Sequence, residues 1–441
     1  MAAKNDIAPL AAAIVFLCMW TPPAGAQVHD SVETESVETE SVESESVEAE
    51  TADSDPVDVN EELDEQLIDV EGSIDNAKAR RGFSFDGDLR TSLLFSGSDI
   101  QDSLDQDSGF ARVRWRLRSI LGITEKLRAG IGVAGLCSTK ECDPDAIFQP
   151  NVPTGSSIKD GQITIDSLFL HSFRLQKFDV AVGRLQTKFV ARGGIFSKSL
   201  DRNDSNSMNV NWTDGLHGTL QTRHGWEPHL IVQYNSPDGA GNVRRDPLDF
   251  SDSRSRVSYF FAWENVEPKR RMIQRGLDIT YMPSSLLVDG ADNGVVDDYW
   301  GLVARAAARW PIRDEGWRFR VSTELGYAPN TQTKSSESIP GSGDVGGVAW
   351  NMTASIMDFL PGHSIGINYG RTEAGWLLSP AYVNNQKLAE LRYVWRPIDH
   401  VTLDVRGRWR DQLEAKELEE PASDRFDFYA RITWSFDIKK Y

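Results

Sequence analysis

The sequence predicts an all-β protein: a transmembrane, antiparallel, up-and-down β-barrel of about 16 strands, preceded by a disordered acidic N-terminal segment. Three observations predict it. Segments of two-residue alternation recur from Phe83 to the C-terminus. The connections between them are short and long in turn. One strand carries four arginines on a single face, which only a wet interior can hold.

Residues 1–26 read as a secretory signal peptide. Lys4 gives a positive end, Ile7 to Trp20 is an apolar run, and Ala24-Gly25-Ala26 is an A-x-A cleavage site. The run is too short to span a bilayer as a helix. Residues 27–81 differ in kind. Four acidic pentads (SVETE, SVETE, SVESE, SVEAE) occupy Ser31 to Glu50, and the segment holds 19 acids against three bases. Most of the net charge of −19 sits here, and the body from residue 82 onward is close to balanced. A five-residue period fits neither a helix nor a heptad, so this segment is expected to repel itself and stay disordered. Within it, Asn60 to Ile74 carries a weak helical pattern through Leu63, Leu67 and Ile74.

The strands of residues 82–441 follow in order. The first spans 83–95. The second, 110–123, contains Arg112, Arg114, Arg116 and Arg118 on one face and Val113, Trp115 and Leu117 on the other. Each Arg facing lipid near the midplane would cost about 2–4 kcal/mol, so four would exceed the usual stability of a domain. They must face a wet lumen. Strands at 127–137, 162–174, 178–188, 208–222, 227–235, 255–265 and 273–282 continue the pattern. Further inward arginines are expected from those at 298–310, 317–328 (Arg318, Arg320) and 400–410 (Arg406, Arg408, Arg410), with 345–358, 363–372 and 382–395 between. Acids interleave at Asp278, Glu324, Asp404 and Asp437. The last strand, 425–438, puts Phe428, Ala430, Ile432, Trp434, Phe436 and Ile438 on one face and Asp427, Tyr429, Arg431 and Thr433 on the other. It must pair with the first, because an open sheet edge cannot stand in hydrocarbon.

After even-numbered strands the connections are short, as at 124–126, 175–177 and 397–399. After odd-numbered strands they are long and polar, as at 138–160, 190–207 and 236–253. Membrane barrels have this rhythm, with an even strand count and aromatic girdles. Trp310, Trp317, Tyr327, Trp395, Trp409 and Trp434 lie near strand ends.

The signal peptide, the strand rhythm and the aromatic last residue Tyr441 together resemble the sixteen-stranded porins of Gram-negative outer membranes, with a looser likeness to the phosphate-selective group. The resemblance covers residues 82–441. It implies a channel for passive diffusion of small hydrophilic solutes, set in outer-membrane lipid and lipopolysaccharide and assembled as a homotrimer. It also implies that the loop after the fifth strand folds inward as a constriction. Here that loop is 190–207, with Arg192, Lys198, Asp201, Arg202 and Asp204 as charges of both signs and Gly193-Gly194 able to bend. Arginine rings favour anions and acidic rings favour cations, and the interleaved signs also fit a mixed, solvated wall with little selectivity. The alternatives in transport and outside it are a substrate-specific anion channel, for phosphate or an organic acid, and a closed structural or adhesive barrel.

Cys137 and Cys142 are the two cysteines after the signal and are expected to pair as a local disulfide in an oxidising compartment. No nucleotide fingerprint, G-x-S-x-G or HExxH occurs, and the seven histidines are scattered. No catalytic residue, metal or cofactor is expected, and a nearly neutral body does not suit nucleic acid.

Overall fold

A computed structural model describes residues 82–99, 106–139, 142, 147–148, 160–175, 177–203, 210–222, 225–235, 246–251, 254–267, 270–289, 294–311, 317–379, 381–415 and 424–440. The signal peptide, the acidic segment with its helical pattern, and Asp204 lie outside the described residues.

Alternating sequence becomes strand throughout. The order is β1 (Gly82–Asp99), β2 (Gln106–Thr124), β3 (Leu127–Ser138), β4 (Ile147–Phe148), β5 (Gln162–Leu175), β6 (Phe178–Leu185), β7 (Thr213–Leu220), β8 (Trp226–Tyr234) and β9 (Val257–Val266). It continues through β10 (Met272–Leu287), β11 (Val296–Pro311), β12 (Arg318–Tyr327), β13 (Val348–Leu360), β14 (His363–Thr372), β15 (Gln386–Ile398), β16 (Val401–Gln412) and β17 (Asp424–Lys440). The two-residue β4 lies parallel to the start of β5 and takes no part in the wall. The other 16 strands pair antiparallel with their neighbours, and β17 pairs with β1 to close the ring. That closure runs from Phe83 opposite Lys440 to Asp99 opposite Asp424. No backbone edge of the wall is left bare, which is what a strand structure in hydrocarbon requires.

The faces are sorted as in a membrane barrel. Ile432, Trp434 and Ile438 on β17 point outward and are exposed, while Asp427, Tyr429, Arg431 and Thr433 point inward and are buried. The same holds for outward Leu89 and Leu93 against inward Asp88, Arg90 and Ser92 on β1. Polar inside and apolar outside is the reverse of a soluble protein, and it follows from lipid outside. Outward aromatics gather at both ends of the wall. Tyr281 stacks on Trp300 at 4.1 Å toward the long-loop end, and Trp310 meets Phe319 at 5.9 Å beside a short turn.

The turns after β2, β5, β13 and β15 are two residues long, and the long connections all leave the opposite end. At the turn after β13, Gly362 adopts φ +75°, which a side chain would resist. Two strands are shorter than their alternation suggests. The strand expected at 178–188 ends at Leu185, and the one expected at 208–222 begins at Thr213. Val210 and Trp212 instead pack inward on Ala134 and Leu136, so burial inside the barrel wins over wall pairing there.

Candidate functional site: the lumen and its crossing segment

The segment after β6, the fifth wall strand, is described over 186–203 and 210–212, and these residues turn into the barrel. Its described part is almost wholly buried: Phe189, Val190, Ala191, Ile195, Phe196, Leu200, Asp201 and Arg202 are all under a tenth exposed. Its contacts trace its course. The Arg192 backbone N–H donates to Gln274 of β10 at 2.7 Å. The Gly193 carbonyl accepts from Ser355 of β13 at 2.8 Å. A Cβ on Gly193 would stand 2.0 Å from Thr353 Oγ1 and 2.3 Å from Ser322 Oγ, so only glycine lets the backbone lie this close to the wall. Gly194 beside it holds φ +88°. Lys198 then ion-pairs with Glu390 of β15, the fourteenth wall strand. The fifth and fourteenth of 16 strands stand almost opposite, so the segment crosses the interior.

Its return is held by charge. Asp201 meets Arg305 of β11 at 3.2 Å. The wholly buried Arg305 is also paired with Asp278 of β10 and lies 3.7 Å from both Glu264 of β9 and Glu324 of β12. Glu324 in turn accepts from the Leu200 N–H at 3.0 Å and from Asn351 at 2.6 Å. One guanidinium thus faces four carboxylates on this side. Arg202 donates to Thr187 and Thr213 at 2.9 and 2.8 Å and also to Gln233, returning the chain to β7 and β8.

Strands β15 to β17, further round the ring, have the reverse imbalance. Asp404 on β16 is shared by Arg392 (2.7 Å), Arg431 (2.7 Å) and Arg406 (3.5 Å). Asp427 on β17 is shared by Arg410 (2.6 Å), Arg425 (2.9 Å) and Arg408 (3.4 Å). Six guanidiniums therefore surround two carboxylates on β15, β16 and β17.

The four arginines of β2 all turn inward, yet each sits against an acid. Arg112 meets Asp160 at 2.8 Å, Arg114 meets Asp88 at 2.9 Å, Arg116 meets Asp166 at 3.0 Å and Arg118 meets Asp86 at 3.0 Å. Arg114 is completely covered. Asp88 also takes Arg90 at 3.0 Å, so two guanidiniums share that carboxylate. Arg318 pairs with Asp358 at 2.7 Å, and Arg320 is buried on the inward face of β12. Cys137 and Cys142 are joined as a disulfide at the long-loop end of β3.

One element was not legible in sequence. The connection 373–385, after β14, also folds inward. Trp376, Leu377, Leu378 and Tyr382 bury themselves with Leu200 and Tyr299 in an apolar cluster. The only sequence signal is a Trp-Leu-Leu run in a connection otherwise expected to be polar. Among the described residues, no group of three or more metal-ligating side chains could hold an ion.

No protein-family model and no curated protein matches the sequence. Solved structures do match. OprB of Pseudomonas putida aligns over 80% of this chain and 94% of its own, at 11% identity and TM-score 0.55. The fold is that of the outer-membrane porins. An anion-selective porin from Comamonas acidovorans aligns over 80% and 99% of the two chains (10% identity, TM-score 0.50). The outer membrane channel DcaP of Acinetobacter baumannii aligns over 83% and 99% (11% identity, TM-score 0.50). Such porin-type barrels sit in the cell outer membrane, as the lipid-facing exterior of this one requires.

Proposed function

We propose that the barrel is a channel for passive diffusion of small hydrophilic solutes across the outer membrane, with a preference for anions, and that the crossing segment over 186–203 is its constriction. The observation that carries the preference is that six guanidiniums on β15 to β17 share Asp404 and Asp427, while the third buried carboxylate there, Glu390, is taken by Lys198. Fixed positive charge on a pore wall concentrates anions and raises their flux relative to cations. The acid-rich Arg305 site lies on the side against which the crossing segment is packed, so it is covered by that segment. Two arginines of β16 are less enclosed: Arg408 and Arg410 keep about a fifth of their side-chain surface open, whereas Arg406 is buried. That one similar solved structure is an anion-selective porin agrees with this reading.

The test is single-channel recording of the refolded protein in a planar bilayer, followed by the reversal potential under a salt gradient. Ohmic steps with an anion-signed reversal are expected. Correctly folded barrels that carry no current would remove the channel. A cation-signed reversal would remove the preference and leave the channel.

A further inference from the structure

We infer that the connection 373–385 is a second constriction element, and that Trp376 is the positioning residue that fixes where the crossing segment sits in the lumen. The inference rests on the channel reading above and extends it to a specific residue.

Two successive carbonyls of the crossing segment are both taken by this one connection. Trp376 Nε1 donates to the Leu200 carbonyl at 2.9 Å, and Ser379 Oγ donates to the Ser199 carbonyl at 2.8 Å. The connection is itself fastened to the wall. Tyr299 of β11 donates its hydroxyl to the Gly375 carbonyl at 3.0 Å and accepts from the Leu377 N–H at 2.9 Å.

The wall is shaped to receive it. A Cβ on Gly326 of β12 would lie 2.7 Å from the Trp376 ring, and one on Gly301 of β11 would lie 2.2 Å from Leu378. Both glycines stand on inward positions, where bulk would lift the indole off the strands. Trp376, Leu377 and Leu378 have no reason to enter a wet lumen unless they cover one another and Leu200, because apolar surface left in water is unfavourable. Leu200 is thus gripped from both sides. Its carbonyl goes to Trp376, and its N–H goes to Glu324 on the wall. A peptide held at both ends has a fixed height, and that height sets the free cross-section beside it.

The test uses full-length protein with W376A, W376F and G326V. G326V disturbs the seat without touching the tryptophan. Barrel integrity is read from heat-modifiable migration on gels. W376A and G326V are expected to raise unit conductance and to shift upward the size limit for neutral sugars in liposome swelling. W376F, which keeps an aromatic ring of smaller size and loses the N–H, is expected to fall between them and the wild type. A second readout needs no current. Ser199, fully buried, is replaced by Cys, and its labelling by a water-soluble maleimide is timed with and without W376A. Faster labelling with W376A is expected. Equal labelling rates, or unchanged conductance and size limit in intact W376A and G326V barrels, would overturn the inference. A wild type that is silent while labelling still depends on Trp376 would strike the channel reading and keep the positioning role.

Discussion

Lys198, on a segment that leaves the fifth wall strand, is ion-paired with Glu390, on the fourteenth. Glu390 is fully covered and Lys198 nearly so. The pair fastens the crossing segment to the far wall. Removing one member of a buried pair leaves an uncompensated charge and costs about 3–5 kcal/mol. Lys198→Met is therefore expected to lower the denaturant midpoint of the refolded barrel, and the double change Lys198→Met with Glu390→Leu to recover much of the loss. Unfolding in detergent micelles measures both.

The glycine at 193 makes a sharper prediction. Thr353 Oγ1 and Ser322 Oγ leave no room for a Cβ. Gly193→Val should cost roughly 1–3 kcal/mol by overpacking and should push the crossing segment off the wall. The measurement is unit conductance beside the denaturant midpoint. A change in stability with wild-type conductance would mean that the segment does not set the bore.

Charge imbalance on β16 and β17 predicts opposite shifts from two changes at one contact. Asp427→Asn leaves Arg408, Arg410 and Arg425 without their shared carboxylate, so the reversal potential should move further toward anions. Arg410→Gln should move it toward cations. Both shifts should shrink as salt rises, because at about 0.1 M ionic strength the screening length falls to roughly 10 Å.

Ile432 lies at the middle of β17 and is 53% exposed on the outer face. Ile432→Arg should cost about 2–4 kcal/mol in a bilayer, as expected for a cation at the hydrocarbon midplane. Its neighbour Arg431 already points inward, so the same residue type one position away is tolerated. Folding titrations into lipid vesicles compare the two sites.

The wall was legible from side-chain alternation because the period of two is a local property. Which face of β2 holds Arg112 to Arg118, and which face of β17 holds Trp434, follows from strand geometry and the cost of charge in lipid. Closure of β17 on β1 follows from the same physics, since hydrocarbon tolerates no open edge. The partners of the inward arginines were not legible. Each partner depends on the stagger between strands, which places Asp88 of β1 beside Arg114 of the adjacent β2 and lets Asp166 of β5 reach Arg116 of β2 across β3.

The sequence by itself determined a closed barrel with a charged interior, its strand count, and which end carries the long connections. Only the tertiary structure decided where the positive surplus lies, that the chain after β6 reaches Glu390, and that Trp376 turns inward to meet Leu200. Alternation is written within each strand and needs no distant residue. Contacts across a lumen join residues as far apart as 192 positions, and they form only when the ring has closed and the segment after β6 has folded into it.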